Sequence, residues 1–251
     1  MWGRHRKALI VAILLCIAGF LVAVTLIATL YKAPSCNDDT QNQGETGVDC
    51  GGPCSHLCTA DQLKAQVLYA RPLTQQPGRT DVIAAIANKN PAAAAKNVPF
   101  TVTLYGGDGT VLATKQGTVD LPPAATVPVF IPGLYSGFQS VAHAFLTIDD
   151  NAVYWYRYTD TRPVLPTSNV TVTPGDAPRA TASVSNPTAY HILNLPVVIT
   201  VFDASNNAIA ASRTVVDQVP PQGSASMIFT WNAAWNGTPA REEVVPQLPL
   251  P

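Results

Sequence analysis

The stretch NVPFTVTLYGGDG, residues 97–109, decides the fold of this chain. Its apolar residues Phe100, Val102 and Leu104 alternate with two threonines and a tyrosine, so the two sets point to opposite faces of an extended strand. The Gly-Asp-Gly end is typical of a tight turn. The stretch therefore predicts a half-buried β-strand that is followed by a turn.

The same pattern returns in NLPVVITVFDASN at residues 194–206. The similarity continues upstream, where an Asn-Pro turn ends at Pro91 in one copy and at Pro187 in the other. It also continues downstream, where Pro-Pro turns end at Pro123 and Pro221. A repeat of this length is a repeat of whole domains rather than of short solenoid units.

Each copy contains six or seven strand-like segments that are separated by turn signals. They fall at 65–71, 81–88, 100–106, 111–119, 126–131, 140–149 and 153–160 in the first copy, and at 169–173, 180–185, 197–203, 208–216, 224–229 and 240–245 in the second. Such segments predict β-sandwiches. The cysteine–tryptophan–cysteine core of antibody domains is missing, so the domains are immunoglobulin-like in architecture only.

The predicted fold class is mainly β, with an N-terminal transmembrane helix, a small disulfide-rich knot and two tandem immunoglobulin-like β-sandwich domains. The predicted boundaries are a cytoplasmic basic tail at 1–7, a transmembrane signal-anchor helix at 8–31, the cysteine-rich knot at 32–59, β-sandwich domain 1 at 60–162, a linker at 163–168 and β-sandwich domain 2 at 169–251.

The N-terminus is predicted to be a membrane anchor. The run from Ala8 to Leu30 has no charged residue, and a helix of that length reaches roughly 34 Å, which is enough to cross a hydrocarbon core. The basic residues Arg4, Arg6 and Lys7 precede it, so the positive-inside rule places the N-terminus in the cytoplasm. We expect an uncleaved single-pass signal-anchor in the cell membrane, with the bulk of the chain extracytoplasmic. A cleavable signal peptide is the alternative.

Four of the five cysteines, namely Cys36, Cys50, Cys54 and Cys58, follow the anchor closely. Outside the membrane such thiols oxidise, so we expect two disulfides, with the three pairings left open. Zinc is the competing interpretation. The gaps of 13, 3 and 3 residues between these cysteines do not form the two close pairs that are usual in zinc sites.

Oxygen-bearing side chains recur every three or four residues between the first two of these cysteines, at Asp38, Asn42, Glu45 and Asp49. Carboxylate and amide oxygens on a disulfide-closed loop are ligands that Ca²⁺ uses in proteins. These four residues are a candidate calcium site. The competing interpretation is a polar loop that is too small to have a core.

Two resemblances rest on these motifs. The pattern C-x-D-x3-N-x2-E-x3-D-C-G-G-x-C, from Cys36 to Cys54, resembles a short cysteine-rich module of many bacterial exported proteins, although Asp39 stands where that module commonly has glycine. The strand ends at 102–106 and 199–203, with their flanking proline turns, resemble the signature of FxLYD-type domains, which are small extracytoplasmic β-sandwiches. The second resemblance implies a structural or binding module rather than an enzyme.

The sequence offers little for catalysis or for nucleic-acid binding. The four histidines are dispersed, and no zinc-protease, nucleophile-elbow or phosphate-loop motif occurs. The Lys and Arg residues are scattered, without a basic stripe. We therefore predict a protein that is not an enzyme and does not bind nucleic acid.

The predicted recognition site is the aromatic strand with Tyr154, Trp155, Tyr156 and Tyr158. Its tyrosines share one face, which could stack on sugar rings or pack on a protein; the alternative is that they fill a sandwich core. The predicted function is envelope binding, adhesion or scaffolding by a non-catalytic, membrane-anchored extracytoplasmic protein whose partner is an envelope glycan or a protein. The alternative is an accessory subunit of a membrane-embedded secretion or surface-appendage complex.

Overall fold

A computed structural model describes residues 2–31, 33–158 and 162–251. These residues divide into two compact units, one that ends at Cys54 and one that spans residues 55–251. The chain is mainly β, with an N-terminal apolar helix, disulfide-bonded cysteines in a small loop region and several packed antiparallel sheets. The predicted fold class is therefore confirmed.

The first unit begins with a helix, α1, at Trp2–Leu30. Its segment His5–Leu30 has a mean hydropathy of 3.1 in its most apolar window and is long enough to cross a membrane. The side-chain hydroxyls of Thr25 and Thr29 donate to the carbonyls one turn earlier, each at 2.7 Å, so these polar groups need no water inside an apolar layer. A helix of this kind is compatible with a single-pass anchor and with a signal sequence.

The described residues of the second unit form thirteen strands, and each predicted segment corresponds to one of them. Those of the first sandwich are β1 (Gln66–Gln76), β2 (Arg79–Asn88), β3 (Ala93–Gly106), β4 (Val111–Leu121), β5 (Ala125–Ser136), β6 (Val141–Ile148) and β7 (Trp155–Arg157). Those of the second are β8 (Thr167–Thr173), β9 (Arg179–Ser185), β10 (Ile192–Phe202), β11 (Ala208–Val219), β12 (Ser224–Thr230) and β13 (Arg241–Pro246).

The two sandwiches have the same topology. In the first, the sheets are β1-β2-β5 and β4-β3-β6, with β7 paired to the start of β3; in the second, they are β8-β9-β12 and β11-β10-β13. Each strand of the second sandwich thus occupies the place of the strand seven positions earlier, and all pairings are antiparallel. The sequence repeat is therefore a repeat of the fold.

One buried asparagine holds each sandwich together at the same place. The side-chain amide nitrogen of Asn88 donates to the carbonyls of Ala93 and Pro122, each at 2.8 Å. The amide nitrogen of Asn186 makes the equivalent bonds to Tyr190 and Pro220 at 2.8 and 3.1 Å. These bonds tie the proline turn after one sheet to the end of a strand in the other.

The two sandwiches pack directly on each other. Leu73 and Ile83, on the outer face of the β1-β2-β5 sheet, form one buried cluster with Val198 and Ala211 on the outer face of the β11-β10-β13 sheet. The ring of Tyr69 meets Phe202 edge-on at 6.2 Å. The β2 and β10 strands are consequently buried on both faces, and the sandwiches share a junction rather than a free linker.

Candidate functional site

The cysteine knot is oxidised. Cys36 and Cys54 form a disulfide across 18 residues of sequence, and Cys50 and Cys58 are disulfide-bonded as well. Cys16, in α1, is a free cysteine. The disulfide prediction is confirmed, and the zinc interpretation is not, because a sulfur in a disulfide is not available as a thiolate ligand.

Three of the four predicted calcium ligands, the carboxylates of Asp38, Glu45 and Asp49, accept hydrogen bonds from the backbone of their own loop. Both carboxylate oxygens of Asp49 accept backbone N–H groups, from Asp38 and Asp39, at 2.9 Å each. Glu45 is 6% exposed, and its Oε2 accepts from the amides of Asn42 and Asp49 at 3.2 and 3.3 Å. These carboxylates order a loop that has almost no core. Calcium binding at these residues stays a prediction, and a bound ion would have to share the carboxylate oxygens of Asp38 and Asp49, which already accept hydrogen bonds.

The carboxylate of Glu45 also lies against the Cys36–Cys54 disulfide, with Oε1 3.1 Å from Cys54 Sγ. This is a contact rather than a hydrogen bond, because a disulfide sulfur carries no proton. Asp38 accepts from Asn42 Nδ2 at 2.9 Å, while the buried Oδ1 of Asn42 has no hydrogen-bond partner among the described residues. The loop is thus closed by the Cys36–Cys54 disulfide, and hydrogen bonds from its side chains stabilise it in the absence of a sheet.

The aromatic residues in and beside β7 are divided between the core and the surface of the first sandwich. Trp155 is 4% exposed and belongs to the core of the first sandwich, so it is not available to a ligand. Tyr154 is 54% exposed and stacks on His56, with ring centroids 4.1 Å apart. Tyr156 and Tyr158 are half-buried, with centroids 6.3 Å apart. The tyrosines therefore lie on the outer side of the strand, and the tryptophan fills the core.

The residues before the first sandwich extend this strand on its other edge. The amide of Leu57 donates to the carbonyl of Trp155 at 2.9 Å, and the amide of Arg157 donates to the carbonyl of Ser55 at 2.8 Å. The end of the segment that we predicted as knot is thus paired with the first sandwich. This pairing places His56 beside Tyr154.

A cleft of about 590 Å³ lies where the two sandwiches and the segment between them meet. Its walls are prolines and aliphatic side chains from three regions of the chain: Pro122 and Pro123, Pro163 and Leu165, and Pro246 and Leu248. Among its polar lining residues are Asp120 and Arg162. Clefts of this size at domain junctions are common small-ligand sites.

Arg162 is the charged donor of this cleft. Its Nη2 donates to the carbonyl of Leu248, while its Nη1 is buried and has no hydrogen-bond partner among the described residues. Burial lowers the pKa of Arg162, and nearby Tyr158, Asp120 and Tyr156 partly oppose that effect. The hydroxyl of Tyr156 is also buried and unpartnered within the described chain, and burial raises its pKa.

Both carboxylate oxygens of Asp120 accept hydrogen bonds from backbone amides. Its Oδ1 accepts from the amide of Asn97 at 2.9 Å, and its Oδ2 accepts from the amide of Leu250 at 3.0 Å. Asp120 therefore ties the second sandwich's last segment to the first sandwich. The ion pairs of the described residues do not include one between Asp120 and Arg162.

Sequence reasoning missed both the cleft and Arg162, because Arg162 stands directly before the predicted linker at 163–168, which looked like an ordinary connection. It also missed a second aromatic cluster on the outer face of the β4-β3-β6 sheet, where Tyr105 meets Phe145 edge-on at 5.7 Å and His143 lies beside them. The alternation of β3 predicts that Tyr105 points outward. We drew no such prediction for the residues of β6.

Comparisons with known proteins give no family. No family model and no curated protein matches the sequence. Among solved structures, the chain is similar to a red sea bream transglutaminase at 15% identity and a TM-score of 0.27, over 73% of this chain and 29% of that one. It is also similar to the tandem domain CBM22-1-CBM22-2 of Paenibacillus barcinonensis Xyn10C at 9% identity and a TM-score of 0.15, over 70% of this chain and 86% of that one. Likenesses this weak carry no functional argument.

Proposed function

We propose that this chain is a non-catalytic, membrane-anchored protein of the extracytoplasmic envelope, which binds an envelope component through its paired sandwiches. The observation that carries the proposal is the apolar cleft at the junction, because it is built from both domains and from the segment between them. The tyrosines in and beside β7, of which Tyr154 is 54% exposed, lie on the same sandwich as one wall of the cleft.

A fixed relation between the domains supports a binding role. The cluster of Leu73, Ile83, Val198 and Ala211 is reinforced by hydrogen bonds between the sandwiches. Arg71 donates to Asn207 Oδ1 at 3.0 Å. A junction that is packed in this way preorganises the cleft, and preorganisation lowers the entropic cost of binding.

The anchor is part of the proposal and has its own test. We expect the mature protein from native membranes to retain α1, so its intact mass should match the full chain. A mass that lacks the first segment would identify α1 as a cleaved signal sequence. In that case the protein would act as a released envelope component.

The binding role is tested on the full chain, purified in a mild detergent from native membranes. We expect it to be retained on isolated cell-envelope glycan, and Tyr154→Ala to weaken that retention severalfold because an exposed stacking ring is lost. Tyr190→Ala is the matched control, since Tyr190 is 58% exposed and lies on the second sandwich. Co-purification with other membrane proteins at fixed stoichiometry, without glycan retention, would instead support an accessory subunit of a membrane complex.

A further inference from the structure

The cleft contains a cationic group whose hydrogen bonding is incomplete. Arg162 has five N–H donors in a planar fork, and its Nη1 is buried without a partner among the described residues. A buried donor that lacks an acceptor is costly, and more so when it carries charge. Arg162 lines the cleft, so a ligand whose acceptor paired with its guanidinium would gain both a hydrogen bond and charge neutralisation.

The surroundings restrict the charge of such a ligand. Arg162 is the only Lys or Arg among the described residues that line the cleft, and the carboxylate of Asp120 is also in its wall. A phosphate dianion would meet one cation and one like charge. A carboxylate carries a single charge and matches the planar guanidinium geometry. The charge balance of the cleft thus favours a monoanionic carboxylate.

The remaining walls restrict the body of the ligand. Pro122, Pro196 and Pro246 offer no N–H group, and Val127, Val245 and Leu248 present aliphatic surface. A polar body would lose water there without finding enough hydrogen-bond partners. An apolar body would bury its surface favourably.

We propose that this cleft binds a ligand with one carboxylate on an apolar body, in which the carboxylate pairs with the guanidinium of Arg162 and the body packs on the proline walls. This inference rests on the proposed function, because it takes the cleft as a binding site, and it gives the cleft a ligand separate from the glycan that is tested at Tyr154. The same chemistry is found in a small organic acid and in the free C-terminus of an apolar peptide. Both are therefore included in the test.

The test uses the full chain in lipid nanodiscs and isothermal titration calorimetry. One arm compares 4-phenylbutyrate with 4-phenylbutan-1-ol, and the other compares the peptide acetyl-Ala-Val-Pro-Leu as free acid and as amide. We expect at least one acid to bind about 10- to 100-fold more tightly than its neutral partner, as a charge-assisted hydrogen bond allows. Which acid binds identifies the source of the carboxylate.

Two variants locate the site. Arg162→Gln should remove the preference for the acid and leave the weak binding of the neutral compound unchanged, while Arg179→Gln, at an exposed arginine of β9, should change neither. If Arg162→Gln does not fold, Thr126→Trp serves instead, because Thr126 is an exposed residue of the cleft wall. A bulky ring there should abolish binding of both compounds.

Two results would overturn the inference. One is equal binding of acid and neutral compound, or no binding of either acid, which would mean that water alone satisfies Arg162. The other is an acid preference that survives Arg162→Gln or Thr126→Trp. Retention on envelope glycan that persists in either case would leave the proposed function standing while the carboxylate site fails.

Discussion

At the scale of single residues, the clearest structural role belongs to the paired asparagines Asn88 and Asn186. They are 2% and 1% exposed, and each amide nitrogen shares its two hydrogens among three backbone carbonyls within hydrogen-bond distance, at the same points of its sandwich. Each Oδ1 accepts from a backbone amide two residues later, that of Asn90 or of Thr188. No other side chain of this size provides both donors and an acceptor in such a position.

We therefore expect Asn88→Ala and Asn186→Ala each to lower the free energy of unfolding by about 3 kcal/mol, because several buried backbone groups lose their partners. Denaturant unfolding of the full chain, followed by tryptophan fluorescence, measures this loss. Asn236→Ala, at an exposed position, is the control and should stay within about 0.5 kcal/mol of the wild type. A loss below about 1 kcal/mol in both buried variants would contradict the role given to these residues.

Tyr69 makes the junction sensitive to alkaline pH. Burial, with a further effect from the charge of Glu243, raises the pKa of Tyr69 from 10.0 to about 12. The folded state thus holds this proton more tightly than the unfolded state does. The stability that Tyr69 contributes is complete below pH about 10 and is lost as the pH rises towards about 12.

Tyr69→Phe has no proton to lose there. We expect the wild type to lose more stability than Tyr69→Phe between pH about 9 and about 11.5, while the difference between the two stays constant at lower pH. Chemical unfolding at several pH values measures the two curves, and contributions from other groups cancel in their difference. Parallel curves across the whole range would show that the hydroxyl of Tyr69 is not buried at the junction.

At the scale of secondary-structure elements, alternation located the strands, because each strand that packs on one side carries its apolar residues at every second position. The predicted ends of the strands were less accurate than their predicted positions. The β3 strand begins at Ala93 rather than at residue 100, because its first residues pair with β7. Residues 159 and 160 of the predicted strand 153–160 lie outside the described residues. In its described part, the β7 strand covers Trp155–Arg157 and begins two residues late, since a 3₁₀ turn at Asp150–Ala152 precedes it.

The packing between the sandwiches corresponds to two apolar runs in the sequence, from which we had predicted no contact. The run Val82–Ala87 in β2 is entirely apolar, and Leu195–Phe202 in β10 has Thr200 as its only polar residue. Their counterparts β9 and β3 alternate instead. Continuous apolar strands are typical of strands buried on both faces. Arg162, in contrast, could not have been found locally, because its cleft is assembled from segments far apart in the sequence.

The knot is an element stabilised by disulfides in place of a core. The Cys36–Cys54 disulfide closes a loop of 18 residues, for which chain entropy suggests about 3 kcal/mol of stabilisation. We expect the double variant Cys36→Ser with Cys54→Ser to lose hydrogen-exchange protection at the amides of Asp38 and Asp39, which donate to Asp49. Protection in the β-sandwiches should not change.

Cys16→Ser is the control for that experiment, because Cys16 is a free cysteine in α1. Exchange is measured by mass spectrometry on the full chain in detergent. Amides at 38 and 39 that remain as protected as in the wild type would mean that the loop stays ordered without the Cys36–Cys54 disulfide. In that case Asp49, rather than the disulfide, would be the main support of the knot.

At the scale of the second unit, residues 55–251, the central question is whether the two sandwiches unfold together. Ile83 and Val198 are 0% and 1% exposed and belong to the same cluster, although they come from different sandwiches. Truncation of either one leaves a cavity at the junction, and a large aliphatic residue replaced by alanine costs about 2–5 kcal/mol. Because the two residues share that cavity, their effects should not add.

We expect Ile83→Ala and Val198→Ala, measured singly and together, to give a coupling energy of about 0.5–3 kcal/mol, as is found for residues that share a cluster. The double variant should also unfold in two steps, because the sandwiches then lose the contact that joins their transitions. Ile228→Ala is the control, since Ile228 is 47% exposed on β12, in the sheet of the second sandwich away from the junction. Additive effects and a single transition in the double variant would mean that the sandwiches are joined mainly by the hydrogen bonds of Arg71, Asp120 and Gln247, and the cleft would then depend on polar contacts rather than on apolar packing.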